Sequence, residues 1–316
     1  MRAMGRSGLQ VSSLGLGTMG WGTEVDPDTA AELFAAFRQA GGTLVDTAHG
    51  YGDGAAEQIL GSLIRDSREE VVIATKAGIS RSTGTRVVDT SRGTLLNQLD
   101  VSLRRLRTDY VDLWMVHAWS DTVPVHETVS AMAHAVSSGR ARYVGVSNHD
   151  GWQLTRVATL LEGHGVPVVT DQVEYSLVAR SADEDLLPAA DHLGVGILAW
   201  APLAGGVLTG KYRHGVPADS RAAGGRHHQW ARRRVADGSS PVVDAVSTAA
   251  EGLRLTPVQV ALSWLLDRPG ITAAITGARN PAQLRMILAA EGVQLPDQVA
   301  QALHDVSAGH ERTQCF

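Results

Sequence analysis

Cysteine is nearly absent: the 316 residues contain one, Cys315. A lone thiol forms no internal disulfide, and no Cys/His spacing resembles a zinc site, so no metal is expected. Lysine is almost as scarce. Of the 28 basic residues only Lys76 and Lys211 are lysines; the others are arginines. A lysine kept in such a chain raises the question of what an amine does there that a guanidinium cannot. Positive charge is not in surplus either. The formal net charge is −5, and the short cluster Arg232–Arg234 does not change that, so a nucleic-acid partner has no electrostatic basis. The most apolar window, Val195–Gly210, is broken by Pro202 and several glycines and is no membrane span. Met1-Arg-Ala-Met-Gly5 lacks the apolar core of a secretory signal. The expected compartment is a reducing cytoplasm.

What is present is an alternation. Strand-like runs fall at Leu14–Gly17, Thr43–Asp46, Val71–Lys76, Val111–Val116, Ala141–Val146, Val168–Asp171, Val195–Trp200 and Ile271–Ile275. Helical patterns separate them: Pro27–Gln39, Ala55–Arg65, Ser91–Arg105, Pro124–Ser138, Gly151–Glu162, Asp183–Leu193 and Pro257–Asp267, with Pro281–Ala290 after the last strand. Eight β-branched and aliphatic strands alternating with helices imply a parallel sheet covered by helices, either open and doubly wound or closed as a (β/α)8 barrel. Two helical stretches, Val242–Leu253 and Asp297–Val306, exceed the repeat, and Arg2–Ser12 reads as a hairpin plugging one barrel end. Asp219–Ser240 is polar, Gly- and Arg-rich and long for a loop, which suggests function or mobility. No linker divides the chain, so residues 1–316 read as one domain.

A motif near the start pulls toward the open sheet. Gly15-Leu-Gly-Thr-Met-Gly20 matches G-x-G-x-x-G, and Asp46 closes the next strand, where a Rossmann acid would bind ribose. The helix, however, begins only near Asp26-Pro27, an N-cap and N1 pair, whereas a Rossmann helix contains the third glycine. Neither lysine has a tyrosine four residues before it, so the Tyr-x-x-x-Lys pair of a short-chain reductase is missing.

The polar residues at strand ends say more. Asp46, Lys76 and His117 each stand at, or one residue past, the end of a strand, and Tyr51 follows Asp46 closely. In a barrel these ends converge on one face. Singly, Asp46 reads more readily as a turn or cap residue, and Tyr51 can be read as a loop tyrosine and His117 as a core histidine. Lys76 closes an apolar strand and needs a partner or a task. Together the four have a shared chemistry. A phenol with pKa ~10 is a poor acid at neutral pH unless a neighbouring ammonium stabilises the phenolate. A carboxylate holds that ammonium, and a histidine orients a carbonyl oxygen. This outfit protonates an oxygen as hydride reaches carbon.

With these residues in place the chain resembles the aldo-keto reductase superfamily along nearly its whole length. The resemblance is carried by Leu14-Gly-Leu-Gly-Thr18, Asp46-Thr-Ala-His-Gly-Tyr51-Gly with Glu57 and Leu60-Gly61, Ala74-Thr-Lys76 and Val116-His117-Ala-Trp119. Gly145-Val-Ser147-Asn148, Gln172-Val-Glu-Tyr175, Trp200-Ala-Pro202-Leu203, Leu208-Thr-Gly-Lys211-Tyr and Gly277-Ala-Arg-Asn-Pro281 continue it. It implies a closed barrel that binds NADPH without a Rossmann domain and reduces a small-molecule carbonyl. Asp46, Tyr51, Lys76 and His117 are its implied catalytic residues. By the same resemblance Ser147, Asn148 and Gln172 hold the nicotinamide carboxamide and Trp200 stacks on the ring. Pro202, Leu203, Gly205 and Lys211 meet the pyrophosphate region, Thr18 and Met19 the ribose, and Gly277, Arg279 and Gln283 the 2′-phosphate. Where the family usually has a Glu-Asn pair for adenine, this chain reads Met286-Ile287, which leaves the 2′-phosphate to Arg279.

Trp21, His49 and Trp119 follow strands and are expected to line an aromatic pocket mouth, with Trp230 as a lid. Relatives with Leu-Thr-Gly-Lys-Tyr include reductases of keto-sugar nucleotides and small aldehydes, and a natural-product pathway is compatible with the composition. A second function stays open: a cofactor-sensing regulator like the potassium-channel β subunits, which resemble this chain but usually carry asparagine in place of His117. A barrel hydrolase or isomerase would need metal ligands or paired carboxylates at strand ends, and the sequence offers neither.

Overall fold

The computed structural model describes residues 1–80, 85–213, 215–218, 220, 222–224, 228–236 and 240–308. Eight parallel strands close into a barrel: β1 Leu14–Gly17, β2 Leu44–Asp46, β3 Val72–Ala77, β4 Val111–Val116, β5 Ala141–Ser147, β6 Val168–Glu174, β7 Gly196–Trp200 and β8 Ile271–Thr276. They pair in chain order, and β8 returns to β1 with Ala274 opposite Leu14, so no edge is left open. Closure excludes the doubly wound alternative. It also accounts for the glycine motif: Gly15 lies within β1, where a Cβ would come 2.7 Å from the Ile275 side chain on β8. The glycine permits close strand approach rather than binding phosphate.

The helices start where the chain can satisfy their free N–H groups. Helix α1, Pro27–Gln39, is capped by Asp26, whose Oδ1 accepts from Thr29 N at 2.9 Å, with Pro27 at its first position. Helices α2 Ala55–Leu63, α3 Arg92–Leu106 and α4 Val125–Ser137 follow. Helix α5, Gly151–Glu162, opens with a reciprocal Asp150–Gln153 capping box, and α6 spans Leu186–Leu193. Helix α7, His228–Ala236, falls inside the stretch expected to be a long loop, a correction: Ala231 is buried, and Trp230 packs with its ring centroid 6.3 Å from that of Trp200. Asp219, Arg221, Arg226 and residues 237–239 lie outside the described residues, and with them the rest of the expectation of function or mobility in this stretch. Helices α8 Ser240–Leu253, α9 Pro257–Leu266, α10 Pro281–Leu288 and α11 Asp297–Ser307 complete the set. No helix among the described residues is long and apolar enough to cross a membrane.

Two apolar layers result. The larger lies between barrel and helices; the smaller fills the barrel interior. The N-terminal hairpin, with Arg2–Ala3 antiparallel to Gln10–Val11, closes the lower end as expected. It inserts Met4, Leu9 and Val11 against Leu44, Leu113 and Leu198, and Arg6 N donates to Gly194 O at 2.7 Å. In a barrel of this kind the ends of the strands and the loops after them are where active sites lie.

Candidate active site

Asp46 is the last residue of β2 and Lys76 the last but one of β3, and their side chains meet inside the barrel. Lys76 Nζ donates to both Asp46 oxygens, at 2.7 and 2.8 Å, and to Thr47 O at 2.9 Å. The two residues are 1% and 2% exposed. Burial pushes the ammonium's pKa down, but Asp46 and then Tyr51 outweigh it, and the net shift is upward. Lys76 therefore stays charged where an unpaired ammonium would not. Gln172 Nε2, from β6, also donates to Asp46 Oδ1 at 2.7 Å.

Tyr51 opens the one-turn stretch Tyr51–Gly54 between β2 and α2. Its hydroxyl lies 3.5 Å from Lys76 Nζ, and the ammonium sits 5.1 Å from the centre of its ring. His117 follows β4, extends the ladder by donating its N–H to Ala77 O at 2.8 Å, and meets Tyr51 edge to face with centroids 6.0 Å apart. The four residues expected at the strand ends thus form one cluster.

The residues assigned to the cofactor fall around it. Ser147 Oγ donates to Gln172 O at 2.7 Å, and Asn148 Nδ2 donates to Ser147 Oγ at 3.1 Å and His117 O at 3.0 Å. Trp200 Nε1 donates to Asn148 Oδ1 at 2.9 Å. Asn148 holds a φ of 58°, the left-handed region that asparagine tolerates better than most residues. After β7, Pro202 and Leu203 lead into Gly205 and Gly206, with φ of 66° and 97°. A Cβ on Gly205 would lie 2.6 Å from the Trp230 ring and one on Gly206 2.6 Å from Lys211 Nζ, so this turn needs bare backbone. Thr18 is buried and donates its N–H to Asp46 O at 2.9 Å, with Met19 beside it. Gly277 and Arg279 stand between β8 and α10, where Gln283 Oε1 accepts from Arg279 N at 3.0 Å. Of the departing pair, Ile287 is a core residue and Met286 is exposed.

The aromatic mouth is only partly as expected. Trp21 is a correction: its indole is 1% exposed. The turn that donates Trp21 N to Thr18 O and Gly22 N to Val25 O folds it behind the Tyr51 loop. His49 is half-buried, its Nδ1 3.3 Å from Arg105 Nη1, and burial and then the guanidinium lower its pKa to about 4. Trp119 does lie at the surface of this end, its indole N–H on Asp121 at 3.0 Å. Sequence reasoning missed its neighbours: Trp119 packs edge to face on His149 at 5.6 Å and on Trp152 at 5.1 Å. His149 is fully buried, which lowers its pKa to about 4. Ser147 O, 2.9 Å from Nδ1, can only accept, so the neutral ring carries its proton there. Arg105 and Glu57 were also passed over as functional residues, for they sit on helices rather than strand ends.

A profile of the family described as Aldo/keto reductase family matches residues 13–308. The chain is 37% identical over 290 residues to a rice protein described as a probable voltage-gated potassium channel subunit beta, covering 89% of this chain and 88% of that one. It is 35% identical over 295 residues to the L-glyceraldehyde 3-phosphate reductase of Escherichia coli K12, covering 90% and 85%. It is 35% identical over 318 residues to an uncharacterized oxidoreductase of Bacillus subtilis, covering 97% and 95%.

Proposed function

Since the chain belongs to the aldo/keto reductase family, we propose that it reduces an aldehyde or ketone to an alcohol with hydride from NADPH, Tyr51 giving the proton. The observation that carries this reading is the buried Asp46–Lys76 pair with the Tyr51 hydroxyl 3.5 Å from the ammonium.

The residues present fit a nicotinamide dinucleotide. Thr18 Oγ1 and Thr47 Oγ1 are buried next to Asp46 with no hydrogen-bond partner, and the Gly205-Gly206 turn offers bare backbone beside Lys211. Ser147, Asn148 and Gln172 would hold the carboxamide, Trp200 the ring, and Thr18 and Met19 the ribose. Pro202, Leu203, Gly205 and Lys211 would hold the pyrophosphate, and Gly277, Arg279 and Gln283 the 2′-phosphate. When bound, the cofactor supplies the hydride. Asp46 keeps Lys76 charged and fixed, and Lys76 stabilises the phenolate left when Tyr51 passes its proton to the carbonyl oxygen. His117 orients that oxygen by a hydrogen bond. Solvent then restores the phenol's proton, so the cycle closes on one hydride and one proton.

A second reading, a cofactor-sensing regulator, is favoured by the identity to the rice channel subunit. Steady-state NADPH oxidation across aldehydes, α-keto compounds and keto-sugar nucleotides separates the two. The enzyme reading expects turnover with at least one class. Tyr51→Phe should bind NADPH normally in a fluorescence titration while turnover falls by about 10²–10⁴, the usual contribution of a general acid. Tight NADPH binding with no turnover of any class would favour the regulator, and near wild-type turnover in Tyr51→Phe would refute the mechanism.

A further inference from the structure

Tyr51 stands at the head of irregular backbone. Gly52, Asp53 and Gly54 follow it with φ of 57°, 55° and 100°. Three consecutive left-handed residues, one of them bearing a side chain, keep their shape only if the surroundings impose it. The loop itself supplies a bond from Tyr51 N to Ala48 O at 3.1 Å. The outside hold comes from α3. Arg105 Nη1 donates to His49 O at 2.9 Å and Nη2 to Asp53 O at 3.4 Å, so one guanidinium brackets Tyr51 from both sides. Gly54 lies so near that a Cβ there would sit 2.2 Å from Arg105 Cζ.

The guanidinium is itself anchored. Glu57, fully buried on α2, accepts from Arg105 Nη1 at 3.1 Å through Oε2 and from Thr75 Oγ1 at 2.8 Å through Oε1. Thr75 immediately precedes Lys76 in β3. A path of hydrogen bonds therefore runs from the strand bearing the ammonium, through Glu57 and Arg105, to both flanks of the phenol. A rigid fork of donors reaches several acceptors at once, which a lysine at this position would not. The Lys76–Tyr51 separation of 3.5 Å is at the long limit of a hydrogen bond, where small loop movements change its strength steeply.

We propose that Arg105, anchored by Glu57, is a positioning residue that sets the Tyr51 hydroxyl against Lys76 and thereby tunes the proton donor. The proposal rests on the reading of Tyr51 as that donor, but its test does not depend on turnover. Arg105→Lys keeps a cation opposite Glu57. The double variant Glu57→Gln/Arg105→Met removes both charges, so that no carboxylate is left buried alone. Ultraviolet difference titration of each variant without cofactor, minus its Tyr51→Phe counterpart, reads the ionisation of this phenol alone. Circular dichroism checks folding. In both variants the phenol should titrate at higher pH than in the wild type. The alkaline limb of kcat should move the same way, and kcat should fall about tenfold or more, part of what a general acid contributes. NADPH affinity should change less than about twofold, since Arg105 touches none of the cofactor residues. Folded variants whose phenol titration does not move would overturn the proposal, whatever their activity. A shifted phenol in a protein whose wild type reduces no carbonyl would instead leave the positioning intact and remove the proposed reaction.

Discussion

The two ends of this barrel are built from the same eight strands and obey different rules. At the lower end Met4, Leu9 and Val11 of the hairpin meet Leu44, Leu113 and Leu198 in an aliphatic cluster. Volume and shape are what matter there, and one aliphatic residue can stand in for another at modest cost. At the upper end a buried ion pair replaces aliphatic packing, and the backbone is forced out of its usual basins. Six non-glycine residues among those described have positive φ. Arg107 and Arg254 end helices, while Asp53, Asn148, Ala201 and Ala204 all lie on loops of the upper face. Such conformations cost about 1–3 kcal/mol each. The lower end supplies packing that holds the frame; the upper end uses that frame to keep costly geometry in place. Aliphatic side chains are exchangeable at one end, apart from tight backbone contacts such as that of Gly5, and the charged and polar ones are not at the other.

This contrast can be broken by exchanging like for like at the top. Lys76→Arg conserves charge in a chain that uses arginine almost everywhere else. The planar, bulkier guanidinium cannot keep the contacts to Asp46 and Tyr51 in a space that is 1% exposed. Turnover should fall by about 10²–10⁴, with folded protein retained by circular dichroism; activity within a few-fold of wild type would mean that the amine is not special. The mirror experiment is Met4→Ala. Removing this buried side chain should cost about 2–5 kcal/mol in denaturant unfolding and leave kcat unchanged at a permissive temperature. A matching loss of kcat would show that the ends are coupled.

Two smaller effects sharpen the picture of the upper face. Arg279→Ala should weaken NADPH by about 1.5–3 kcal/mol, the worth of a charged hydrogen bond, and leave NADH nearly unchanged; equal losses in parallel titrations would remove the 2′-phosphate assignment. The last concerns His149, buried and neutral with a pKa of about 4. An unfolded histidine titrates near pH ~6.5. Between those values the unfolded state binds more protons, so the stabilisation is complete above the upper value and is lost as pH falls toward the lower. It should amount to about 1–2 kcal/mol between pH ~7 and ~5. His149→Gln should flatten that part of the stability–pH curve, as read by urea unfolding across pH; an unchanged slope would place the titration elsewhere.

What the sequence disclosed follows the same division. Helices α1 and α5 match their expected bounds because Asp26-Pro27 and the Asp150–Gln153 pair write the caps into local sequence. Strand β6 runs to Glu174, three residues beyond the apolar run Val168–Asp171, because pairing with β7 and not local hydrophobicity sets its end. Helix α7 was illegible: His-Gln-Trp-Ala-Arg-Arg-Arg-Val-Ala shows no apolar stripe, and it is fixed by Trp230 packing on Gly205. Asp46, Tyr51, Lys76 and His117 were legible because polar residues at the ends of apolar strands stand out. Arg105 was not, and Glu57 stood out only as part of the resemblance with no role given, since an arginine and a glutamate on helices look like ordinary solvated charges until the fold buries one and aims the other.

The hairpin plug carries a consequence for how the molecule is made. Arg2 Nη1 donates to Leu266 O at 2.6 Å and Ile271 O at 3.2 Å, across 264 and 269 residues of sequence. β1 finds its second neighbour only when β8 arrives. β1 and the hairpin are thus made before the segments they pair with and find those partners only once β8 has been made. Until Ile271–Thr276 emerges, β1 and β7 each present an unpaired edge, the kind of surface that recruits other chains. Contacts this distant in sequence also slow folding. The yield of this protein in a cell should therefore depend on how long that gap stays open, and slowing translation between β7 and β8 should raise aggregation without changing the stability of the finished barrel.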